Sequence, residues 1–280
     1  RPPRSTLFPY TTLFRSPSAM YSGSGKRLHR ALAGLIGIAL LVFQSAALAE
    51  TATLAVAANF TGTMNRLAPL FEQQTGHQLR ISYGSTGKLY AQIRHRAPFD
   101  AFMAADRERP RLLEQQGLAV AGTRFDYAEG RLALWSRTPD LFTDGTAWLA
   151  RQPERLAIGN PKTAPYGIAA MEVLENLGLA QALRPALVSG DSIAQTFQFV
   201  ATGNAVSGFV ALAQTRAWKE EGSLWLVPND LHTPIRQQAV LLGHGEDNPA
   251  ARAWMLFLAS EPAQAIIRED GYDIPEQPNH

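Results

Sequence analysis

Apolar residues follow two alternating rhythms along most of the chain. Thr51 to Ala57 (TATLAVA) is a short β-rich apolar run, as expected of a buried strand. Met64, Leu67, Leu70 and Phe71 then recur at helical spacing up to Gly76, with Asn59 or Thr61 placed to cap the helix. His77 to Tyr83 (HQLRISY) alternates as a strand, and Gly84-Ser85-Thr86-Gly87 opens a helix carrying Leu89, Tyr90 and Ile93. Asp100 to Ala104 predicts a third strand and Arg107 to Gln116 a third helix. Further strands are expected at Arg131–Trp135, Leu156–Ile158, Val206–Leu212, Leu224–Pro228 and Ile235–Leu242. Helices are expected at Gly167–Leu177 and Ser192–Thr202, with a single C-terminal helix over Pro249–Glu269.

Strands and helices alternating at short intervals predict a parallel sheet with helices on its faces. No repeat, low-complexity tract or long linker interrupts the pattern after residue 50. The expected class is therefore α/β, with two interleaved Rossmann-like lobes around a hinge. The chain would cross between lobes near Gly130 and again near Asn229–Pro234. That assigns 50–130 and 232–280 to one lobe and 131–231 to the other.

The N-terminal part follows a different logic. Lys26 to Arg30 is basic, Ala31 to Phe43 is an apolar run of 13 residues, and Ala47-Leu48-Ala49 is a small-x-small site. Together they make residues 20–49 a secretory leader cleaved after Ala49. A bilayer span needs about 17–25 apolar residues, so this run is too short to be one. Residues 1–19 precede a plausible initiator, Met20, carry no periodicity, and are set aside as an upstream artefact.

Removing the leader reverses the charge. All 24 acidic residues lie at or after Glu50, while six of the 26 Lys and Arg precede it, so the mature chain carries −4 rather than +2. The basic balance that would suggest nucleic acid thus belongs to the leader. With no cysteine, disulfides, thiolate metal sites and cysteine nucleophiles are excluded.

Three loops share one chemistry: Ala57-Ala58-Asn59-Phe60, Gly84-Ser85-Thr86-Gly87 and Ala164-Pro165-Tyr166-Gly167. Each follows a strand, opens a helix and carries small or hydroxyl residues without acidic ones. Unpaired N–H groups at helix starts attract anions without a cation, and such loops sit at the carboxyl ends of strands, where α/β sheets bind ligands. Capping alone would explain any one of these loops, but the three together suggest an oxyanion cage.

The order TLAVAANF, ISYGSTGKLYAQI, PFDAFMAAD, LAIGNPKTAPYGIAAMEVLENLG and SGFVA resembles the periplasmic molybdate-binding proteins of ABC importers, from about Thr51 to Ile274. The resemblance implies the type II periplasmic binding protein fold, with the ligand in a cleft between two lobes. Carried over by position, it places Asn59, with Ala58 beside it, where the family has a first-loop serine. The second-loop hydroxyl falls on Ser85 or Thr86, a phenol on Tyr166, and a main-chain donor on Ile193. A tyrosine that some members carry near SGFVA is Ala211 here, so the phenol is expected from Tyr166 instead. The implied ligand is molybdate or tungstate, bound as an oxyanion with no direct metal ligands and no cofactor. The implied partner is an ABC importer permease in the inner membrane, served by a monomer in the periplasm, with no nucleic acid involved.

A cage for a fully ionised dianion should lack carboxylates, which would only repel it. None of the nominated residues is Asp or Glu, and Asp191 is expected to point away. A sulfate-like oxyanion is the nearest alternative ligand, and cage size would have to discriminate. An enzyme is not expected. Ser85 is the one candidate nucleophile, for a hydrolase of small esters, but it lacks a G-x-S-x-G elbow. His77, His95, His232, His244 and His280 show no metal-ligand spacing. Phe60 and Tyr166 are the only aromatic cleft candidates, and the tryptophans are expected to serve packing.

Overall fold

The computed structural model describes residues 49–275. The leader and residues 1–19 lie outside the described residues, apart from Ala49. In chain order, β1 (Thr51–Ala57), α1 (Thr61–Thr75), β2 (Gln78–Gly84), α2 (Thr86–Arg94), β3 (Ala101–Ala104), α3 (Glu108–Gln115) and β4 (Phe125–Gly130) build most of a first lobe. The second contains β5 (Leu132–Ser136), α4 (Gly145–Ala150), β6 (Leu156–Gly159), α5 (Pro165–Asn176), α6 (Ala180–Leu183), β7 (Leu187–Gly190), α7 (Ile193–Ala201), β8 (Ser207–Ala211), α8 (Leu212–Arg216) and β9 (Ser223–Leu226). The chain then returns to the first sheet as β10 (Ile235–Leu241) and ends with α9 (Pro249–Leu258) and α10 (Glu261–Glu269).

Each lobe holds a five-stranded sheet, ordered β2-β1-β3-β10-β4 in one and β7-β6-β8-β5-β9 in the other. The two orders have the same plan. In each, a parallel trio is flanked by a strand that has just arrived from the other lobe, β10 or β5, and that strand runs antiparallel to both neighbours. The sheets are therefore mixed rather than purely parallel. The reason is connectivity: helix crossovers impose parallel pairing, whereas a strand entering directly from the opposite sheet has no crossover to reverse it.

Helices cover both faces. Under α1, α9 and α10, Phe71 meets Trp254 edge-on at 5.3 Å and Phe257 at 5.5 Å, with Leu54, Val56 and Met64 buried beneath. Burying a side chain of this size contributes roughly 3 kcal/mol. In the second lobe Leu134, Ile158 and Phe209 pack with Val173 of α5, while on the opposite face Trp135 stacks on Phe197 and meets Trp218 edge-on. Among the described residues no helix is long and apolar enough to cross a membrane.

The expected C-terminal helix is in fact two. It breaks at Ala259-Ser260, where the Ser260 hydroxyl donates to the Phe257 carbonyl at 2.6 Å and Pro262 sits in the first turn of α10. Proline is tolerated there, because its missing N–H would be unpaired in any case. Strands β4 and β7 escaped the periodicity reading. Strand β4 carries Asp126 and Glu129, and β7 is a half-exposed four-residue edge.

Candidate functional site

All the nominated loops lie at carboxyl ends of strands. Ala58 and Asn59 follow β1, Ser85 and Thr86 follow β2, Tyr166 opens α5 after β6, and Ile193 opens α7 after β7. Together they line one small cavity of about 10 Å³, joined by Ala57, Gly84, Ala105, Ala164 and Pro165. Space of this size is about that of one water molecule. None of the lining residues carries a charge.

Burial makes each polar atom in the cavity consequential, because an unmade hydrogen bond there costs about 1–3 kcal/mol. Ser85 is 4% exposed and its buried hydroxyl has no hydrogen-bond partner, although Ser85 occupies the N-cap position of α2. Thr86 differs, since its hydroxyl accepts from the Ala105 N–H at 3.1 Å. Ile193 follows Ser192, whose side chain caps α7 by accepting from the Gln195 N–H at 3.3 Å.

Asn59 caps nothing. Phe60 holds the N-cap position of α1 without a side-chain bond, and the Thr61 hydroxyl donates to the Ala58 carbonyl at 2.9 Å. The Asn59 amide instead donates to Gln237 Oε1 at 2.9 Å and to the Tyr272 hydroxyl at 3.1 Å, leaving its own Oδ1 buried without a partner. Phe60 is likewise no cleft residue. It packs into the first lobe, 5.0 Å from the Tyr127 ring and 5.1 Å from Tyr272.

The Tyr166 hydroxyl accepts from Gln237 Nε2 at 3.3 Å. Burial pushes this phenol well above its ordinary pKa, aided by the nearby phenols of Tyr272 and Tyr127 and opposed by the amides of Gln237 and Asn59. It is therefore a neutral O–H donor at neutral pH. Its seat depends on Gly130, the last residue of β4, because a Cβ there would lie 2.1 Å from the Tyr166 hydroxyl oxygen. Sequence reasoning missed Gln237, Tyr127 and Tyr272. The one signal was the pair Gln237-Gln238, two consecutive amides of which at least one must face the interior of the strand Ile235–Leu241.

The lobes meet at the rim of the cavity. The Gly87 N–H donates to the Thr163 carbonyl at 2.8 Å, and Lys88 Nζ lies 2.8 Å from Asp191 Oδ2. Lys88 and Asp191 are about half and two-thirds exposed, so the pair contributes about 0–1 kcal/mol. Asp191 thus faces outward to Lys88 and is not among the lining residues. A larger open groove of about 950 Å³ shares Gly87, Thr163 and Pro165 with this region. Its walls carry Asp106, Arg107, Glu108, Arg109, Lys162, Glu172 and Arg236, a mixed-charge surface unlike the neutral cavity. Among the described residues, no cluster of three or more His, Cys, Asp or Glu is placed to hold a metal ion.

Residues 52–273 match the family described as bacterial extracellular solute-binding protein. The chain belongs to this family. Among named solute-binding relatives, the molybdate-binding protein ModA of Azotobacter vinelandii is 50% identical over 234 residues, covering 82% of this chain and 92% of the relative. ModA of Rhodobacter capsulatus is 46% identical over 242 residues, covering 86% and 94%. The solved Azotobacter vinelandii periplasmic molybdate-binding protein superposes with a TM-score of 0.77 at 41% identity, over 80% of this chain and all of that one. The two-lobed α/β architecture is thus that of a solute-binding protein.

Proposed function

We propose that this chain captures molybdate, or the isostructural tungstate, in the periplasm and delivers it as a monomer to the permease of an ABC importer. One observation carries the reading. Loops from both lobes converge on a single buried, uncharged cavity into which Ser85 contributes a hydroxyl with no protein partner. A fully ionised tetrahedral dianion offers only acceptors, and helix starts with neutral donors match it without a cation. The 50% and 46% identical relatives named for molybdate support the ligand.

Within this reading Ser85, not Thr86, supplies the second-loop hydroxyl, because the Thr86 oxygen already serves Ala105. Asn59 acts through its main chain, its side-chain amide being committed to Gln237 and Tyr272. Tyr166 supplies the phenol, and Ala58 and Ile193 supply main-chain contacts. The lobes divide at residue 131 and between 231 and 232, and they close by rotation about those two crossings. Ligand drives closure only if it binds the closed form more tightly than the open one. Residues 20–49 act as the cleaved export leader.

Hydrolysis with Ser85 as nucleophile lacks support, because a serine needs an adjacent base and Ser85 Oγ has no hydrogen-bond partner. A thermal-shift panel of molybdate, tungstate, sulfate and phosphate tests the proposal. Saturable stabilisation by molybdate and tungstate, with little from sulfate and phosphate, is expected. Equal or larger stabilisation by sulfate would replace the ligand, and no shift with any of the four would remove the function.

A further inference from the structure

Gln237 lies at a break in the register between β10 and β4, fully buried, where the first lobe meets Tyr166 of the second. Its Oε1 accepts from Asn59 at 2.9 Å and lies 3.0 Å from the Tyr127 hydroxyl, whose one proton is shared between this Oε1 and the Ala104 carbonyl at 3.2 Å, while its Nε2 donates to Tyr166 at 3.3 Å. The two ends of an amide have nearly the same shape, so its orientation has to be deduced from its partners. Here one partner permits a single solution. The Asn59 main-chain carbonyl can only accept, and the Tyr272 hydroxyl donates its one proton to it at 2.8 Å. Tyr272 must then accept in its 3.1 Å contact with the Asn59 amide, which fixes Nδ2 on that side. The same Nδ2 requires an acceptor from Gln237, so Oε1 faces Asn59 and Nε2 faces Tyr166.

The Tyr166 oxygen is thereby made an acceptor toward Gln237, and its own proton is left for the cavity that it lines with Ser85. We infer that Gln237 is a positioning residue for anion capture: it sets the direction of the buried hydrogen-bond chain so that Tyr166 presents a donor to the ligand. This inference rests on the molybdate reading above. The titratable groups packed around Gln237 are Tyr127, Tyr166 and Tyr272, each pushed upward by burial, with Asp106 and Asp270 acting on Tyr127 and Tyr272. The chain of donors therefore keeps its protons, and its direction, across neutral pH.

A double-mutant cycle read by calorimetric titration of the purified protein with molybdate tests this. Gln237→Met keeps the length of the side chain and removes both polar ends, so it should weaken binding by about tenfold, a loss of about 1.4 kcal/mol. Tyr166→Phe should weaken binding at least as much, and the double variant should be no weaker than Tyr166→Phe alone. Multiplying losses in the double variant, or wild-type affinity in Gln237→Met, would overturn the inference while leaving the molybdate reading intact. Failure of the wild type to bind molybdate would instead overturn that reading and the inference with it.

If Gln237→Met does not fold, Gln237→Glu in the wild-type and Tyr166→Phe backgrounds decides. A protonated carboxyl can donate to Tyr166, whereas an ionised one can only accept a hydrogen bond from it. Affinity should therefore fall between about pH 6 and about pH 9, and the fall should be steeper with Tyr166 present than with Phe. Equal falls in the two backgrounds would overturn the inference.

Discussion

Ser85→Ala separates a binding role for this hydroxyl from a structural one. The Ser85 oxygen is buried and bonded to nothing in the protein. Removing it deletes no internal hydrogen bond and relieves a desolvated polar atom, whose burial costs about 1–3 kcal/mol. The protein should therefore melt at the same temperature or higher, an unusual outcome for a truncation in the interior. A hydrogen bond to a charged ligand contributes about 1.5–3 kcal/mol, so molybdate should bind roughly ten- to a hundred-and-fifty-fold more weakly. Differential scanning calorimetry without ligand and titration calorimetry with molybdate measure the two quantities on one preparation. A lower melting temperature with affinity unchanged would refute the reasoning, because it would make the hydroxyl a structural partner and not a ligand for the anion.

Gly130→Ala should mimic loss of the Tyr166 phenol, since the new Cβ would lie 2.1 Å from the hydroxyl oxygen and 2.9 Å from Gln237 Nε2. Such overpacking costs about 1–3 kcal/mol of stability, and titration should show molybdate affinity falling with it. Gly87→Ala should weaken binding by hindering lobe closure, because its Cβ would meet the Thr163 Cα at 2.9 Å in the interlobe contact. Small-angle scattering with saturating molybdate should show a less compact particle than the wild type. At high pH, Tyr127, Tyr166 and Tyr272 act together. Their folded pKa values lie above the ordinary value, so the stability they contribute is fully present below about pH 10 and is lost as pH rises further. Tyrosinate absorbance from these three should appear only with unfolding, and their ionisation in a still-folded protein would contradict the burial argument.

Much of the site was legible because its parts are local. A strand, a short loop of small residues and a helix start occupy a few consecutive positions, and the hydroxyls of Ser85 and Tyr166 are visible in them, whereas Ile193 was nominated only by the family resemblance. The cavity's supporting network was not legible. Asn59 and Gln237 are 178 residues apart and Asn59 and Tyr272 are 213 apart, and no local period links them. The same limit explains Asn59 itself. Locally it is a sound helix cap, but long-range partners take its amide, and Phe60 holds the cap position instead. Strand direction was partly hidden for a similar reason, since β5 and β10 run antiparallel only because each arrives from the other lobe.

The central claim, that uncharged donors from two lobes cage a dianion, is tested most directly by a crystal structure of the molybdate complex with molybdenum located by its anomalous scattering. The account predicts one strong peak between Ser85, Tyr166 and the start of α7, with only hydroxyl and main-chain N–H donors around the oxygens. A peak in the groove beside Arg107 and Lys162, or a cation within hydrogen-bonding distance of the anion, would contradict it.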